Sequence, residues 1–272
     1  MTFEKESPVD LQLQGKTALV TGSSAGIGFA TAVGLAREGA HVVLNGREAA
    51  RLAAARGRLL DVAPAAHVEA VTADVATAEG AEALIAAVPS VDILVNNAAT
   101  FGPQPFEDIP DAEWQRFFDT NVMSGVRLAR HYLQGMLDRN EGRILFIGTD
   151  AAVQPQVDQL HYSVTKTAVL GLARGLAELT KGTRVTVNTV LPGPTSTEGV
   201  TGVMDGIAQH TGLSHDQIVT RLFETNTSSS LLQRLAAPEE VANLLVYLAS
   251  PLAALTNGDA VRAEGGIVRS AF

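Results

Sequence analysis

Short hydrophobic runs alternate along the chain with longer segments of helical periodicity. The runs are mostly aliphatic or β-branched, which is typical of strands buried on both faces. They occupy residues 17–21, 41–45, 67–71, 92–96, 143–147 and 184–190. Segments of helical length, such as GIGFATAVGLARE, separate them. The alternation predicts β-α-β units with right-handed crossovers, and therefore an α/β protein with a parallel, doubly wound sheet that carries helices on both faces.

The pattern also predicts how the chain is divided. Residues 1–12 alternate acidic and polar positions, and we expect them to form a flexible N-terminal arm. Residues 13–272 show no linker that would divide them, so we expect a single domain. The stretch 191–237 lacks a clear strand and is rich in Gly, Thr and Ser. We interpret its central part, about 194–233, as a mobile lid over a substrate site.

Charge and composition exclude several classes of function. The 272 residues carry a formal net charge of −9 without a basic cluster, so a nucleic acid is not an expected partner. The chain has no cysteine, which fits a cytoplasmic protein. Residues 17–36 are uncharged, but glycines interrupt them and we expect no membrane span. His161, His210 and His215 have no carboxylates at ligand spacing, so no metal site is expected among them.

A glycine-rich turn follows the first predicted strand. The sequence TGSSAGIG places Gly22, Gly26 and Gly28 between that strand and the first helix. Glycine permits a tight turn and lets backbone N–H groups approach a pyrophosphate. A turn that only serves packing is the alternative, but the position favours a dinucleotide site. Ser24 and Ile27, in the same turn, are further candidate cofactor contacts.

The residues after the second and third strands indicate which dinucleotide is bound. In LNGRE, Asn45 and Arg47 precede the first acidic residue, Glu48. An arginine at this point pairs with a 2′-phosphate, whereas an acid would bind a free ribose hydroxyl. We therefore favour NADP(H), with NAD(H) as the alternative in which Arg47 only caps a surface loop. Asp74 and Val75 follow the third strand, where Asp74 either bonds the adenine or belongs to a helix N-cap region.

Tyr162 and Lys166 are candidate acid–base residues. Their four-residue spacing in HYSVTKTAV puts them on one face of a helix. A free tyrosine has a pKa of about 10, so only about one in a thousand is ionised at neutral pH. An ammonium group nearby favours the phenolate and lowers that pKa. The pair can therefore work as a general acid and base.

The motifs together resemble those of the classical short-chain dehydrogenases/reductases. They occur in the family's order from about residue 13 to 268: TGSSAGIG, NNAA, TNVMSG, YSVTK, LPGPTST and PEEVANLLVYLAS. The resemblance implies a Rossmann-type sheet of about seven parallel strands, a nicotinamide cofactor, hydride transfer at a carbonyl or carbinol, and a homotetramer or homodimer. The chain departs from the family at Thr149, where a serine is common 13 positions before the tyrosine.

The resemblance implies a role for each catalytic candidate. Tyr162 would donate the proton to the carbonyl oxygen, while Lys166 would lower its pKa and bind the nicotinamide ribose. Thr149 would donate a hydrogen bond to the same oxygen, although its methyl group narrows the pocket. Asn121 would hold a water molecule that relays protons to Lys166; taken alone, it would be a helix-interior amide bonded to the backbone.

Further cofactor and substrate contacts are expected near these residues. The expected cofactor contacts are Asn97, Ala98, Pro192, Gly193, Thr195 and Thr197. Either threonine could instead cap the following helix. The expected substrate contacts are Phe101, Phe106, Asp150 and Gln154. Asp150 either touches a polar substrate or caps the next turn.

These observations predict an oxidoreductase that transfers hydride between NADP(H) and a small-molecule ketone or secondary alcohol. One alternative is an NAD-linked alcohol dehydrogenase of the same family. Another, of a different class, is a regulator or scaffold that binds the cofactor with little turnover, and Thr149 is the feature that favours it.

Overall fold

A computed structural model describes residues 9–225 and 227–271. Most of the expected N-terminal arm, residues 1–8, lies outside the described part. Across that part the chain forms one parallel sheet with helices on both faces, so the predicted fold class is confirmed.

The described residues form a seven-stranded parallel sheet in the order β3-β2-β1-β4-β5-β6-β7. Its strands are β1 Thr17–Val20, β2 His41–Gly46, β3 Val68–Thr72, β4 Ile93–Asn96, β5 Gly142–Ile147, β6 Val185–Pro192 and β7 Ala260–Ala263. The order reverses between β1 and β4. Ligands of such sheets bind at this point, beyond the carboxyl ends of the strands.

Helices connect the strands. The described α-helices are α1 Gly26–Arg37, α2 Ala49–Val62, α3 Ala78–Ala87, α4 Asp111–Phe118, α5 Ser124–Asp138, α6 Leu160–Glu178, α7 Glu198–Thr211, α8 His215–Glu224 and α9 Pro238–Ala249. A π-helical turn, Asp119–Met123, joins α4 to α5 without a break.

The two faces of the sheet are covered by separate hydrophobic cores. Successive strand residues point to opposite faces, so Val20 packs in the core formed by α1, α2 and α9. Leu19, its neighbour, packs in the core formed by α3, α5 and α6. Both side chains are completely buried. Burial on both faces explains why these strands are continuous hydrophobic runs rather than alternating ones.

The segment expected to form the lid, 194–233, contains α7 and α8. Gly212 ends α7 with a φ of +72°, a left-handed conformation that favours glycine. Ser214 then caps α8: its hydroxyl accepts a hydrogen bond from the Gln217 amide, and the Gln217 side chain accepts one from the Ser214 amide. No helix in the described residues combines the length and hydrophobicity needed to cross a bilayer.

Candidate active site

The glycine turn lies between β1 and α1, at the carboxyl edge of the sheet. Gly22 and Gly26 have φ angles of +61° and +57°, which side chains other than glycine rarely adopt. A Cβ atom on Gly28 would lie 2.4 Å from Nδ2 of Asn97. Backbone conformation therefore requires glycine at positions 22 and 26, and close packing requires it at position 28.

The loop after β4 is held directly against this turn. The Thr21 hydroxyl accepts hydrogen bonds of 3.0 Å from the backbone amides of both Asn97 and Ala98. Nδ2 of Asn97 donates to the carbonyl oxygens of Thr21, at 2.9 Å, and Gly22, at 3.0 Å. The two predicted cofactor contacts after β4 therefore share one rigid network with the glycine turn.

A carboxylate already lies at the N-terminus of α1. Ala25 offers no side-chain cap there, and the Gly26 amide instead donates to Oε2 of Glu198 at 3.0 Å. Helix N-termini bind anions because their amides are unpaired and the helix dipole is positive at that end. The Gly26 amide therefore binds an anionic oxygen here, which is the kind of contact that a pyrophosphate would require. This contact joins residues 172 positions apart and was not predicted.

The two predicted contacts to the 2′-phosphate, Asn45 and Arg47, lie in different environments. Asn45 is 1% exposed, and its Nδ2 donates hydrogen bonds of 3.1 Å to the carbonyl oxygens of Val71 and Ala73. Both amide hydrogens thus tie β2 to the end of β3, which leaves none for the phosphate contact predicted for this side chain. Arg47 is exposed, and among the described residues no partner for its guanidinium is found.

Asp74 forms a local turn at the end of β3. Its Oδ1 accepts a hydrogen bond from the Ala76 amide at 3.1 Å, and Thr77 is the N-cap of α3. Asp74 is exposed, whereas Val75 is buried in the core. The carboxylate of Asp74 keeps its second oxygen for another contact.

Arg58 is a basic residue of this region that sequence analysis missed. From α2 it donates a hydrogen bond of 2.7 Å to the carbonyl oxygen of Ser24, and its guanidinium lies 4.3 Å from the centre of the Phe29 ring. Sequence could not indicate this contact, because it depends on how the helices pack. The turn itself carries Ala25 where a basic residue could stand, and Arg58 in α2 supplies the positive charge instead. Arg58 and Arg47 therefore flank the glycine turn.

Helix α6 carries Tyr162 and Lys166 one turn apart. Nζ of Lys166 lies 5.7 Å from the centre of the Tyr162 ring and donates a hydrogen bond of 2.6 Å to the Ile147 carbonyl oxygen. Burial of Val169 and Ala173 against the sheet fixes this face of the helix. The structure thus brings the two residues together beside the end of β5.

Thr149 follows β5 and pairs with its neighbour. Its hydroxyl donates a hydrogen bond of 2.8 Å to Oδ1 of Asp150 and accepts one of 3.3 Å from the Ala151 amide. Thr149 therefore caps the short helical turn Asp150–Ala152. Both Thr149 and Asp150 are buried, at 8% and 4% exposure, yet both line the cavity.

The ionisable groups have shifted pKa values. Burial raises the pKa of Tyr162 well above its usual value; the charge of Asp150 acts in the same direction, and a hydrogen bond with the Thr149 hydroxyl oxygen opposes it. Burial lowers the pKa of Lys166 to about 8. Burial also raises the pKa of Asp150. The pKa shift of Tyr162 is opposite to the one expected from sequence, because burial of the phenol and the charge of Asp150 outweigh the hydrogen bond with Thr149.

Asn121 lies in the π-helical turn and is 6% exposed. Its Oδ1 accepts a hydrogen bond from the Thr100 amide at 2.7 Å, while Nδ2 donates to the Thr100 carbonyl and to the Thr165 hydroxyl, each at 3.0 Å. The side chain thus fixes the loop after β4 to α6. The hydrogen bond to Thr165 places the Asn121 amide beside the residue that precedes Lys166 in α6.

The end of β6 closes the opposite wall. Pro192, Gly193, Thr195 and Thr197 all line the cavity. The Thr195 hydroxyl donates to the Gly193 carbonyl at 2.9 Å. Thr197 is the N-cap of α7, and its hydroxyl accepts from the Val200 amide at 3.3 Å. The helix-cap alternative therefore applies to Thr197.

The cavity between this wall, the end of β5 and the lid segment measures about 570 Å³. Its inner end carries Tyr162, Thr149 and Asp150. The lid contributes mostly apolar side chains: Val200, Val203, Met204, Ile207, Leu213, Ile218 and Leu222.

The expected substrate contacts are divided by the structure. Phe101 lines the cavity, with its ring centre 6.1 Å from that of Tyr162. Gln154 and Phe106 are exposed and do not line it. Gln156 and Gln159, which follow in the same loop, line it instead, because the chain turns between these positions before α6 begins.

Comparisons with known proteins agree with this geometry. A model of the short chain dehydrogenase family matches residues 16–208. The chain is 48% identical over 266 residues to the uncharacterized oxidoreductase YvaG of Bacillus subtilis, covering 96% of this chain and 99% of YvaG. It is 31% identical over 261 residues to the 3-oxoacyl-acyl-carrier-protein reductase FabG of Vibrio cholerae, covering 94% and 99%.

Among solved structures, the L-sorbose reductase of Gluconobacter frateurii in complex with NADPH and L-sorbose has a TM-score of 0.89. Its sequence is 34% identical, and the match covers 96% of this chain and 100% of that one. The family match extends from β1 into α7 and so includes the glycine turn, Thr149, Tyr162 and Lys166. The chain is an oxidoreductase that belongs to the short-chain dehydrogenase family.

Proposed function

We propose that the chain transfers hydride between NADP(H) and a ketone or secondary alcohol, with Tyr162 as the acid–base residue. The observation that carries this proposal is that Tyr162 and Thr149 line one cavity, while Lys166 donates a hydrogen bond to the carbonyl oxygen of Ile147, which lines the same cavity. Ile27 of the glycine turn also lines it, and the Gly26 amide in that turn already binds a carboxylate.

The residues of the carboxyl edge fit a dinucleotide. Gly22, Gly26 and Gly28, with Ser24 and Ile27, would hold the pyrophosphate against the N-terminus of α1. When bound, the nicotinamide supplies or accepts the hydride. Asp74 and Val75 would contact the adenine, and Asn97 and Ala98 the adjoining ribose. The carboxamide would contact Pro192, Gly193, Thr195 and Thr197.

Two arginines support NADP(H) over NAD(H). Arg47, in the loop between β2 and α2, and Arg58, in α2, flank Ser24, and no partner for the Arg47 guanidinium is found in the described part of the chain. Arginine donates two parallel hydrogen bonds to a phosphate. A carboxylate at the same position could not donate hydrogen bonds to that phosphate. The relationship to an L-sorbose reductase crystallised with NADPH supports the same choice.

The raised pKa of Tyr162 suits proton donation. A tyrosine that keeps its proton at neutral pH can donate it to the carbonyl oxygen as negative charge develops there. Thr149 stabilises the same oxygen once its hydroxyl turns from Asp150 toward the substrate. Lys166 would hold the ribose hydroxyls and return a proton to Tyr162. Asn121 would position a water molecule beside Lys166.

The cavity supports a medium-sized, partly polar carbonyl substrate. Its volume of about 570 Å³ lies within the usual range for small-molecule sites. Thr149 and Asp150 supply polar contacts at the inner end, and the lid supplies an apolar wall. We propose that residues 194–233 act as the lid of a single catalytic domain formed by residues 13–272. A cytoplasmic location and a homotetrameric or homodimeric assembly remain predictions.

Turnover tests the proposal. Purified protein is offered NADPH with a panel of ketones that runs from a polyhydroxylated ketose to an alkyl ketone, and nicotinamide absorbance is followed. We expect oxidation of NADPH by wild type and a loss of at least 100-fold in kcat for Tyr162→Phe. The matched control, Tyr247→Phe on the exposed face of α9, keeps the wild-type rate. Equal rates for wild type and Tyr162→Phe would overturn the assignment.

A further inference from the structure

Three potential metal ligands meet at the amino ends of β2 and β3. Val42 pairs with Val68, and its amide donates a hydrogen bond of 2.9 Å to the His67 carbonyl, which places His41 opposite His67. Glu69 follows His67 by two positions, so its side chain points to the same face of the strand. The imidazole rings stack with their centres 3.7 Å apart and an interplanar angle of 9°.

The donor atoms of these side chains are close together. Nε2 of His41 lies 3.3 Å from Oε1 of Glu69, and Nε2 of His67 lies 3.9 Å from the same oxygen. The three ligand atoms all lie within 4.8 Å of one another. Bonds of about 2.0–2.1 Å in a tetrahedral zinc site separate the ligand atoms by about 3.4 Å. Small side-chain rotations are enough to reach that geometry.

The environment of His41 also favours a bound ion. Its Nε2 is buried, and the 3.3 Å contact with Oε1 of Glu69 is not aligned as a hydrogen bond in the described residues. A buried polar atom without a hydrogen bond is unfavourable, and a metal ion between the two side chains would bind both. Glu69 and His67 are 50% and 71% exposed, so the outer side of the cluster is open to water.

We propose that His41, His67 and Glu69 bind one divalent ion of the zinc type, with water completing its coordination. Two imidazoles and one carboxylate suit Zn²⁺, Co²⁺ and Ni²⁺ better than Mg²⁺ or Ca²⁺, which prefer oxygen ligands. Strand β3 lies at the edge of the sheet, so the ion would fasten this edge to β2. The cluster lies at the end of β2 opposite Gly46, about 17 Å from the cofactor site at 3.3 Å per residue. Its role is therefore structural and independent of the proposed hydride transfer.

Calorimetric titration with ZnCl₂ tests the site, using tag-free protein freed of metal with a chelator. We expect one Zn²⁺ per wild-type chain and at least tenfold weaker binding to His67→Ala and to Glu69→Gln. His131→Ala, which removes an exposed histidine from α5 that has no place in the cluster, should bind like wild type. Equal affinity in wild type and His67→Ala, or no binding by wild type up to millimolar Zn²⁺, would overturn the proposal.

A second readout separates ligand loss from misfolding. Binding to the folded state raises the melting temperature, by about 5 °C at a hundredfold excess over Kd. We expect this rise in wild type and His131→Ala only. The exposed position of His67 predicts that His67→Ala melts like wild type without zinc. A zinc-dependent rise of equal size in His67→Ala would contradict the assignment.

Discussion

The hydroxyl of Thr149 donates a 2.8 Å hydrogen bond to Oδ1 of Asp150 at the inner end of the cavity. This bond occupies the donor that the proposed mechanism needs for the carbonyl oxygen. Substrate must therefore draw the hydroxyl away from a buried carboxylate. Thr149, which departs from the family pattern, is therefore bonded to Asp150, whose charge raises the pKa of Tyr162.

Substitutions of Thr149 separate its hydroxyl from its methyl group. Thr149→Val keeps the shape but removes the donor, and we expect kcat for ketone reduction to fall about 100- to 1,000-fold. Thr149→Ser keeps the donor and should stay within tenfold of wild type. Steady-state kinetics on the best ketone of the panel measure both. A Thr149→Ser variant that raised a negligible wild-type rate by orders of magnitude would instead support the cofactor-binding regulator.

Removal of the Asp150 charge should move the pH dependence of the reaction. Asp150→Asn eliminates a negative charge that raises the pKa of Tyr162, so that pKa falls. Alcohol oxidation requires the deprotonated tyrosine. In the variant, kcat/KM for alcohol oxidation should therefore begin to rise at a lower pH than in wild type. Asp138→Asn, at the exposed end of α5, serves as the control and leaves the profile in place. A shift toward higher pH would contradict the electrostatic role.

Neutralising Glu198 should strengthen cofactor binding. Its carboxylate bonds the Gly26 amide and must leave when a pyrophosphate binds there. A charge at a helix N-terminus contributes about 0.3–1 kcal/mol, so Glu198→Gln should bind NADPH about two- to fivefold more tightly. Glu239→Gln, in the same groove but without this bond, is the matched control. Unchanged or weaker NADPH binding by Glu198→Gln in a fluorescence titration would show that the contact does not compete.

The buried Lys166 predicts a pH-dependent stability. Its pKa is about 8 in the folded protein and about 10.4 in an unfolded chain, so between these values the unfolded state binds more protons. The cost of burying the ammonium group is therefore full below pH 8 and is relieved as the pH rises.

Chemical denaturation of wild type and Lys166→Met measures this effect. From pH 7 to pH 9, the free energy of unfolding of wild type should rise by about 1 kcal/mol relative to the variant. The same comparison with Lys181→Met, an exposed lysine, should show no such change. A constant difference between wild type and Lys166→Met would mean that Lys166 is not desolvated in the folded state.

Strands β1, β2, β4, β5 and β6 could be predicted from sequence because burial on both faces leaves a simple signal, whereas β3 is a largely exposed edge strand. All six predicted runs lie within two residues of β1 to β6. The seventh strand, expected only from the family resemblance, is a short edge strand of partly buried residues. Its sequence AVRA gives no hydrophobic run. The π-helical turn at Asn121 has no comparable signature, because its sequence continues the helical pattern of α4 and α5.

The site was predictable in residue types but not in pairings. Tyr162 and Lys166 share one helix, so their spacing alone brings them together. Glu198 meets Gly26 only through the tertiary fold, and Arg58 reaches Ser24 only because α2 packs beside α1. His41 faces His67 through strand register, which sequence does not specify until the order of the strands is known.

A titration of the purified protein with NADPH and NADH, followed by nicotinamide fluorescence, tests the cofactor assignment most directly. We predict at least tenfold tighter binding of NADPH, a preference that Arg47→Ala abolishes and Arg51→Ala, its exposed neighbour on α2, retains. Equal or tighter binding of NADH would contradict the NADP(H) assignment. Binding of neither nucleotide would contradict the proposed hydride transfer itself.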